Sequence, residues 1–328
     1  MKAVVFSAYG SPDLLSYQEV KTPTPKGNEV LIKIHASSVN SWDWDLMWGR
    51  PYVNRMMFGL SKPKKINILG ADIAGHIVAL GKDVKEFNVG DEVFGDLTGG
   101  SWSTFAEFAV AKEEELALKP TSISFENAAA IPQAAVLALQ SVQDKDKVDV
   151  GQKILINGAG GGVGTFAIQI LKSWGAEITA VDSAKKLDML QSIGANQVID
   201  YKTEDFTKSG KQYDLIIDVV GNRSIFDYKK CLVKNGRYVM IGGSSSLIFQ
   251  TFLLGPFISL FGSFPGGSGK KMEVLMHEPN KNLKQLLALI EEGTIQPIIA
   301  KKFPLSETAD AIRFLGEGHA EGKVIITM

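Results

Sequence analysis

The sequence predicts an α/β protein in which a doubly wound parallel sheet is joined to a mainly antiparallel, barrel-like β domain. Three observations carry that prediction. Short β-rich runs separated by Gly, Pro, Asn and Asp fill the first third of the chain, and strands alternate with helices of ten or so residues from about Ser124. The stretch GAGGGVGTFAIQILK, Gly158 to Lys172, then runs five glycines in seven residues straight into an apolar segment with helical spacing.

In the first third, KAVVF, EVLIKIHASSV and HIVALG read as strands of a barrel-like antiparallel domain. An Ala-rich helix, FENAAAIPQAAVLALQSV, opens the alternating region. It continues with the strand KILING, a helix from Gly164 to Trp174, the strand EITAVD, a helix from Ala184 to Ile193, and the runs QVIDY, DLIIDVV and RYVMIGG. Strands and helices alternating at this spacing form right-handed βαβ units. The tail returns to mixed elements: a helix near Asn282 to Glu292, a β-like IQPIIAKKFPL, an amphipathic SETADAIRFLGEG and the strand GKVIITM. That last strand has little to pair with locally, so it is expected to return to the first domain. The expected domains are therefore 1–124, 125–280 as the dinucleotide-binding domain, and 281–328 as the return segment.

Composition narrows the function classes. The chain has 328 residues, 45 % hydrophobic and 22 % charged, which suits two globular domains. Its 35 basic and 36 acidic residues give a net charge of -1 and are mixed along the chain, so no nucleic-acid partner is expected. Cys231 is the single cysteine, which excludes an internal disulfide and any multi-thiolate metal site. It reads as a packed thiol. The N-terminus reads as a first strand, not a signal peptide, and cytoplasmic residence is the expectation. LIFQTFLLGPFISLFG, Leu247 to Gly262, is the most apolar stretch, but it is interrupted by Gly255 and Pro256 and is shorter than the roughly 20 residues of a spanning helix. It reads as a buried wall or subunit interface, with no integral membrane segment. Gly262 to Lys271 reads as a flexible surface loop.

The glycine turn has the strand-turn-helix context of a Rossmann dinucleotide site. Gly161 and Gly162 let backbone N–H groups approach a pyrophosphate, Gly164 permits close helix-to-strand packing, and the helix N-terminus favours the anion. Gly158, Gly161, Gly162, Val163 and Gly164 form the cofactor set of the turn. Asp182 ends the next strand 18 residues beyond Gly164, where a carboxylate binds a ribose 2′-hydroxyl and favours NADH. Lys185 and Lys186 follow at once and suit the 2′-phosphate of NADPH, while Ser183 suits either. The choice between NADPH and NADH stays open.

GADIAGHIVALGKDVKEFNVGDEVFG, Gly70 to Gly95, together with NGAGGGVGTFAIQILK, resembles the signature segments of the medium-chain dehydrogenase/reductase superfamily. The resemblance covers nearly the whole chain and implies a GroES-like first domain. Zinc-dependent members typically carry a Cys where this chain has Asn40, and a Gly-His-Glu where it has Gly70, Ala71 and Asp72. The four histidines, 35, 76, 277 and 319, show no metal-ligand spacing, and no metal is expected. Val39-Asn40-Ser41-Trp42-Asp43 instead resembles the zinc-free branch of quinone oxidoreductases, enone reductases and NAD(P)-dependent alcohol dehydrogenase-like proteins. This implies hydride transfer from NADPH or NADH to a quinone or an α,β-unsaturated carbonyl, chemistry that asks the protein mainly to position two partners and exclude water.

The resemblance also implies roles. Asn40 lies near the nicotinamide and substrate, and Asp43 supports its loop. Tyr201 stands at the adenine side. Gly242, Gly243 and Ser244 line the nicotinamide half, with Val220 and Gly221 nearby. Leu137 replaces a Thr found in many relatives, so no hydrogen bond is assigned there, and Asp45 stands where some relatives have Tyr. Trp42, Trp44, Trp48 and Tyr52 suit an aromatic pocket for a flat acceptor as well as they suit ordinary packing, and the Tyr52 hydroxyl is a candidate donor to the acceptor oxygen. KMEVLMH, Lys271 to His277, resembles the edge strand through which relatives pair two sheets, which implies a homodimer. The alternative to a reductase is a protein of the same fold that binds NAD(P)H without turnover and serves as a structural or interaction partner.

Overall fold

The computed structural model describes residues 1–64, 66–143, 148–262 and 267–328. The stretch read as a surface loop, Gly262 to Lys271, includes residues 263–266, which lie outside the described residues.

In chain order the elements are β1 (Lys2–Phe6), β2 (Leu15–Glu19), β3 (Glu29–Val39), α1 (Ser41–Trp48), α2 (Val53–Phe58), β4 (Asp72–Leu80), β5 (Glu92–Asp96), β6 (Phe108–Lys112), β7 (Ala117–Leu118), α3 (Phe125–Ala129) and α4 (Pro132–Val142). The alternating region follows: β8 (Lys153–Asn157), α5 (Gly162–Ser173), β9 (Glu177–Asp182), α6 (Leu187–Ile193), β10 (Gln197–Asp200), β11 (Tyr213–Asp218), α7 (Ile225–Lys230), β12 (Leu232–Met240), α8 (Ser245–Gly262) and β13 (Lys271–Val274). The tail comprises α9 (Leu283–Glu291), β14 (Ile299–Pro304), α10 (Thr308–Gly316) and β15 (Lys323–Thr327). These elements form two compact units. One contains residues 1–136 and 278–328, the other 137–277. The division falls inside α4.

The first unit is built on a seven-stranded sheet of order β14-β15-β3-β4-β5-β7, with β6 also paired to β3. It is antiparallel except for β14 against β15. Alternating burial in β3 puts Val30, Ile32 and Ile34 into one cluster with Ile73, Ile77 and Val93, as a half-buried strand requires. The closing strand β15 pairs with β3 in a register that sets Val324 opposite Val39 and Thr327 opposite Ala36. Asp72 lies opposite Ser38 on β3 and opposite Asp96 on β5.

The second unit is a six-stranded, all-parallel sheet of order β10-β9-β8-β11-β12-β13. Its strands are apolar through their middles, as strands covered on both faces must be; in β8 every residue after Lys153 is buried. The strand order reverses direction at β8. The crevice beyond the carboxyl ends of β8 and β11 is therefore the switch point at which open α/β sheets bind ligands.

The apolar stretch near residue 250, read as a buried wall or subunit interface, is buried on one face only. It is one continuous helix, α8, running through Gly255 and Pro256. Leu247 and Thr251 are buried, and Leu254 and Ile258 pack on the core. Phe249, Phe252 and Phe257 stand out at 65 %, 65 % and 58 % exposure. An uninterrupted apolar run wrapped on a 3.6-residue period cannot bury every side chain against one sheet, so one face is left outward. Gly255 is where the helix approaches β13, since a side chain there would run into the Met272 carbonyl oxygen. Among the described residues, no helix is long and apolar enough to cross a membrane.

Candidate functional site

The parallel unit brings the glycine turn and the other residues of the expected cofactor set to one rim, the carboxyl ends of β8 to β12. The turn leaves β8 through Gly158, whose φ of +83° favours glycine, and enters α5 at Gly161, the N-cap. A Cβ on Gly164 would collide with the Ala159 backbone, so this glycine lets the first turn of α5 lie against the loop. A Cβ on Gly161 would meet nothing nearer than the Gly158 carbonyl oxygen at 3.8 Å. The helix mouth carries no side-chain cap, so its first N–H groups remain available to an anion.

Asp182 does more than end β9. Its Oδ2 accepts from the Gly160 N–H at 2.7 Å and its Oδ1 from the Ser183 N–H at 2.8 Å, while Lys186 Nζ lies 3.5 Å from Oδ1. Both side chains are largely buried. The two residues that bear on the choice of cofactor are thus paired with each other, and the carboxylate also braces the glycine turn. Tyr201 follows β10 directly; its N–H donates to the Asp182 carbonyl and its ring is partly exposed.

At the ends of β11 and β12, Gly221 and Gly243 have φ of +60° and +144°, and a Cβ on either would strike the other's Cα, so two loops pass at glycine-only distance. Val220, Gly242 and Ser244 lie on these same loops, and Val220 is exposed. Beneath them sits a buried polar cluster that the sequence does not announce. Asp218 accepts from the Asn157 amide at 2.9 Å, the Tyr238 hydroxyl at 2.8 Å and the Gly221 N–H at 2.8 Å, and the Asn157 amide also reaches the Tyr228 hydroxyl at 3.1 Å. Burial beside the Asp218 carboxylate pushes both tyrosine hydroxyls well above their ordinary range, so they stay neutral donors. Leu137, at the start of the second unit, is buried.

In the antiparallel unit, Asn40 and Asp43 come together at the end of β3, where α1 begins. Asn40 is the N-cap and Asp43 the third helical residue, a capping box in which the Asn40 N–H donates to Asp43 Oδ2 at 2.8 Å. Asp43 Oδ1 accepts from the Gly70 N–H at 2.9 Å. The side chain is wholly buried, and desolvation pushes its carboxyl up to about 7 against the lowering effect of those two hydrogen bonds.

The Asn40 carboxamide has two charged neighbours. Its Nδ2 donates to Asp72 Oδ2 at 2.9 Å, and its Oδ1 accepts from Lys323 Nζ at 2.5 Å. Lys323 Nζ also lies 3.3 Å from Asp72 Oδ2. Asp72 accepts further from the Ser38 hydroxyl and from the Gln133 N–H at 2.9 Å. Its burial drives the carboxyl upward, and the Lys323 ammonium opposes that shift. Lys323 and Ser38 escape sequence reasoning because their positions depend on register: Val324 opposite Val39 sets Lys323 across from Asn40, and Asp72 opposite Ser38 completes the row. A single lysine opening a strand otherwise reads as a solvated charge.

Tyr52 is not joined to this network. It precedes α2 at 70 % exposure, with its ring 5.1 Å from the Arg55 guanidinium carbon, and no hydrogen bond links it to Asn40 or Asp43 among the described residues. Trp44 and Trp48 pack on the core of the unit, whereas Trp42 is exposed and tilts against Trp102. Burial pushes Asp45 up to about 6.

The donor set around Asn40 does not suit a zinc ion. A carboxamide and a lysine ammonium stand where a metal would need thiolate or imidazole ligands, and the fixed positive charge of Lys323 repels a divalent cation. Pairing of β3 with β4 does bring His35 and His76 together, which their sequence spacing does not show. Their ring nitrogens are 2.8 Å apart and bond each other. Among the described residues, no group of three His, Cys, Asp or Glu side chains is placed to hold a metal. Cys231 is buried, which pushes its thiol up and leaves it unreactive.

A parallel sheet with a glycine turn at its switch point and an antiparallel unit closed by the C-terminal strand together define a two-domain, dinucleotide-dependent oxidoreductase. Comparison with known proteins agrees. Residues 26–121 match the alcohol dehydrogenase GroES-like domain and residues 193–326 the zinc-binding dehydrogenase model. The chain is 33 % identical to a chloroplast envelope quinone oxidoreductase homolog of Arabidopsis thaliana, over 99 % of this chain and 98 % of that one. It is 32 % identical to a 2-methylene-furan-3-one reductase of Solanum lycopersicum, over 99 % and 79 %. The quinone oxidoreductase structure from Coxiella burnetii superposes with a TM-score of 0.87 at 29 % identity, over 100 % of this chain and 99 % of that one. The chain belongs to the zinc-free quinone oxidoreductase branch of the medium-chain dehydrogenase/reductase superfamily.

Proposed function

We propose that this protein is a zinc-independent reductase that passes a hydride from NADPH or NADH to a quinone or an α,β-unsaturated carbonyl. Two observations carry the reading: an uncapped glycine turn on the parallel sheet and, within the antiparallel unit, an Asn40 carboxamide bonded to a lysine and a carboxylate, a donor set unsuited to zinc. The cradle fits a dinucleotide: Gly161 leaves room where a side chain would stand, and the free N–H groups of α5 suit a pyrophosphate. When bound, NAD(P)H supplies the hydride.

The chain's own residues bind, orient and exclude water. Gly158, Gly161, Gly162, Val163 and Gly164 hold the pyrophosphate, with Asp182, Ser183 and Lys186 meeting the adenosine ribose. Tyr201 lies beside the adenine, and Val220, Gly221, Gly242, Gly243 and Ser244 meet the nicotinamide half. Asn40 donates to the acceptor oxygen, and Asp43 locks the loop that carries it. Tyr52, exposed before α2, is a donor only to an acceptor that reaches α2; solvent supplies the proton otherwise. A conjugated acceptor needs no side-chain nucleophile, so positioning carries the catalysis.

The protein acts as a homodimer in this reading. Among the described residues β13 is the last strand of its sheet, and the outward face of α8 lies on the adjoining helix. A terminal strand beside exposed phenylalanines calls for cover. A single buried cysteine suits a reducing, cytoplasmic setting.

The test is oxidation of NADPH and NADH, followed by absorbance, with a panel of quinones and enones and a control without acceptor. Turnover with such an acceptor supports the reductase. Binding of both cofactors with no turnover across the panel favours a nucleotide-binding protein that acts through partners.

A further inference from the structure

Lys323 is an unusual place to find an ammonium. It opens a strand, its side chain is 3 % exposed, and removing a lysine from water is costly unless its donors are met. The two oxygens it meets are Asn40 Oδ1 and Asp72 Oδ2. The same Asp72 oxygen accepts from Asn40 Nδ2, so ammonium, carboxamide and carboxylate close a three-membered ring of contacts. Charge alone fixes the carboxamide in this ring. Turned over, its N–H groups would face the ammonium and its oxygen the carboxylate, with two repulsions replacing two hydrogen bonds.

We propose that Lys323 is a positioning residue for the reduction: it holds the Asn40 carboxamide in one orientation and polarises it, so that the Nδ2 hydrogen not used by Asp72 is presented to the acceptor oxygen. The proposal rests on the reductase reading above. An ammonium on the carboxamide oxygen draws density from the nitrogen and strengthens its remaining N–H as a donor. The closing strand thus brings a fixed monovalent cation to act on this position through an amide. Asp72 neutralises the ammonium and is itself held by Ser38 and the Gln133 N–H, which keeps the ring from turning.

The experiment compares wild type, Lys323→Met, Asn40→Ala and the double variant in steady-state kinetics with one enone or quinone that the wild type reduces. Lys323→Met is expected to lower kcat by about 10- to 100-fold, the cost of a misplaced donor, with the KM for NAD(P)H unchanged. In the Asn40→Ala background the same substitution is expected to cost less than about twofold, because its effect runs through Asn40. Lys323→Met strands the Asp72 charge; should it fail to fold, Lys323→Met combined with Asp72→Asn is compared with Asp72→Asn alone, so that the difference belongs to Lys323. Wild-type kcat in the Lys323 variant that folds, or losses that multiply in the double variant, overturn the role of Lys323 while leaving the reductase in place. Absence of wild-type turnover with every acceptor overturns the reductase reading and takes this proposal with it.

Discussion

At the residue scale the buried carboxylates decide the behaviour of the Asn40 loop. Asp43 has its folded-state pKa raised to about 7, above the roughly 3.9 of an unfolded Asp, so the folded protein holds a proton that the unfolded chain gives up. Its favourable contribution is complete below about pH 4 and is lost as pH rises through 7. The stability of wild type relative to Asp43→Asn, measured by chemical denaturation, is expected to fall between those pH values; a difference that stays flat would contradict the burial argument. The glycine turn separates fold from binding in a similar way. Gly164→Ala drives a methyl into the Ala159 backbone and is expected to cost about 1–3 kcal/mol of stability. Gly161→Ala meets no atom closer than 3.8 Å and is expected to leave the melting temperature within a degree or two while weakening NAD(P)H binding at least tenfold by titration. At Asp182, Lys186→Ala removes the partnering cation and frees the carboxylate for a ribose hydroxyl, so the NADPH to NADH ratio of kcat/KM is expected to fall.

At the scale of elements, helix α8 and strand β13 show what periodicity does and does not disclose. The run Leu247 to Gly262 was legible as apolar, but its conformation depended on whether Gly255 and Pro256 would break it. The helix persists because Gly255 closes onto Met272 and inner-face residues bury themselves on the sheet, enough to offset the roughly 3 kcal/mol that an internal proline costs. The outward phenylalanines and the terminal place of β13 in its sheet predict a dimer; light scattering should give twice the 35.6 kDa chain mass, and Phe252→Ser with Phe257→Ser should move it toward one chain. The strands and helices of the parallel unit were readable because each βαβ step is local. The row joining Lys323, Asn40 and Asp72 was not, since Lys323 lies 283 positions from Asn40 and 251 from Asp72, separations for which the sequence carries no spacing signal.

For the whole molecule, the chemistry follows from two arrangements that the chain builds separately. One is a helix mouth kept open for a pyrophosphate by glycines and braced by Asp182. The other is a carboxamide held between an ammonium and a carboxylate. Asn40, Asp43 and the glycine set were visible in the sequence because short motifs carry them. Asp218, Lys323 and Ser38 were not, because burial and register give them their partners. The most direct test of the central claim is to reduce an enone with cofactor carrying deuterium at the transferring carbon and to locate the label in the product by NMR. Deuterium is expected on the β-carbon and a solvent-derived hydrogen at the α-carbon, with no loss of activity after treatment with a metal chelator. Bound cofactor that is never consumed, or activity abolished by chelation and restored by zinc, would contradict that claim.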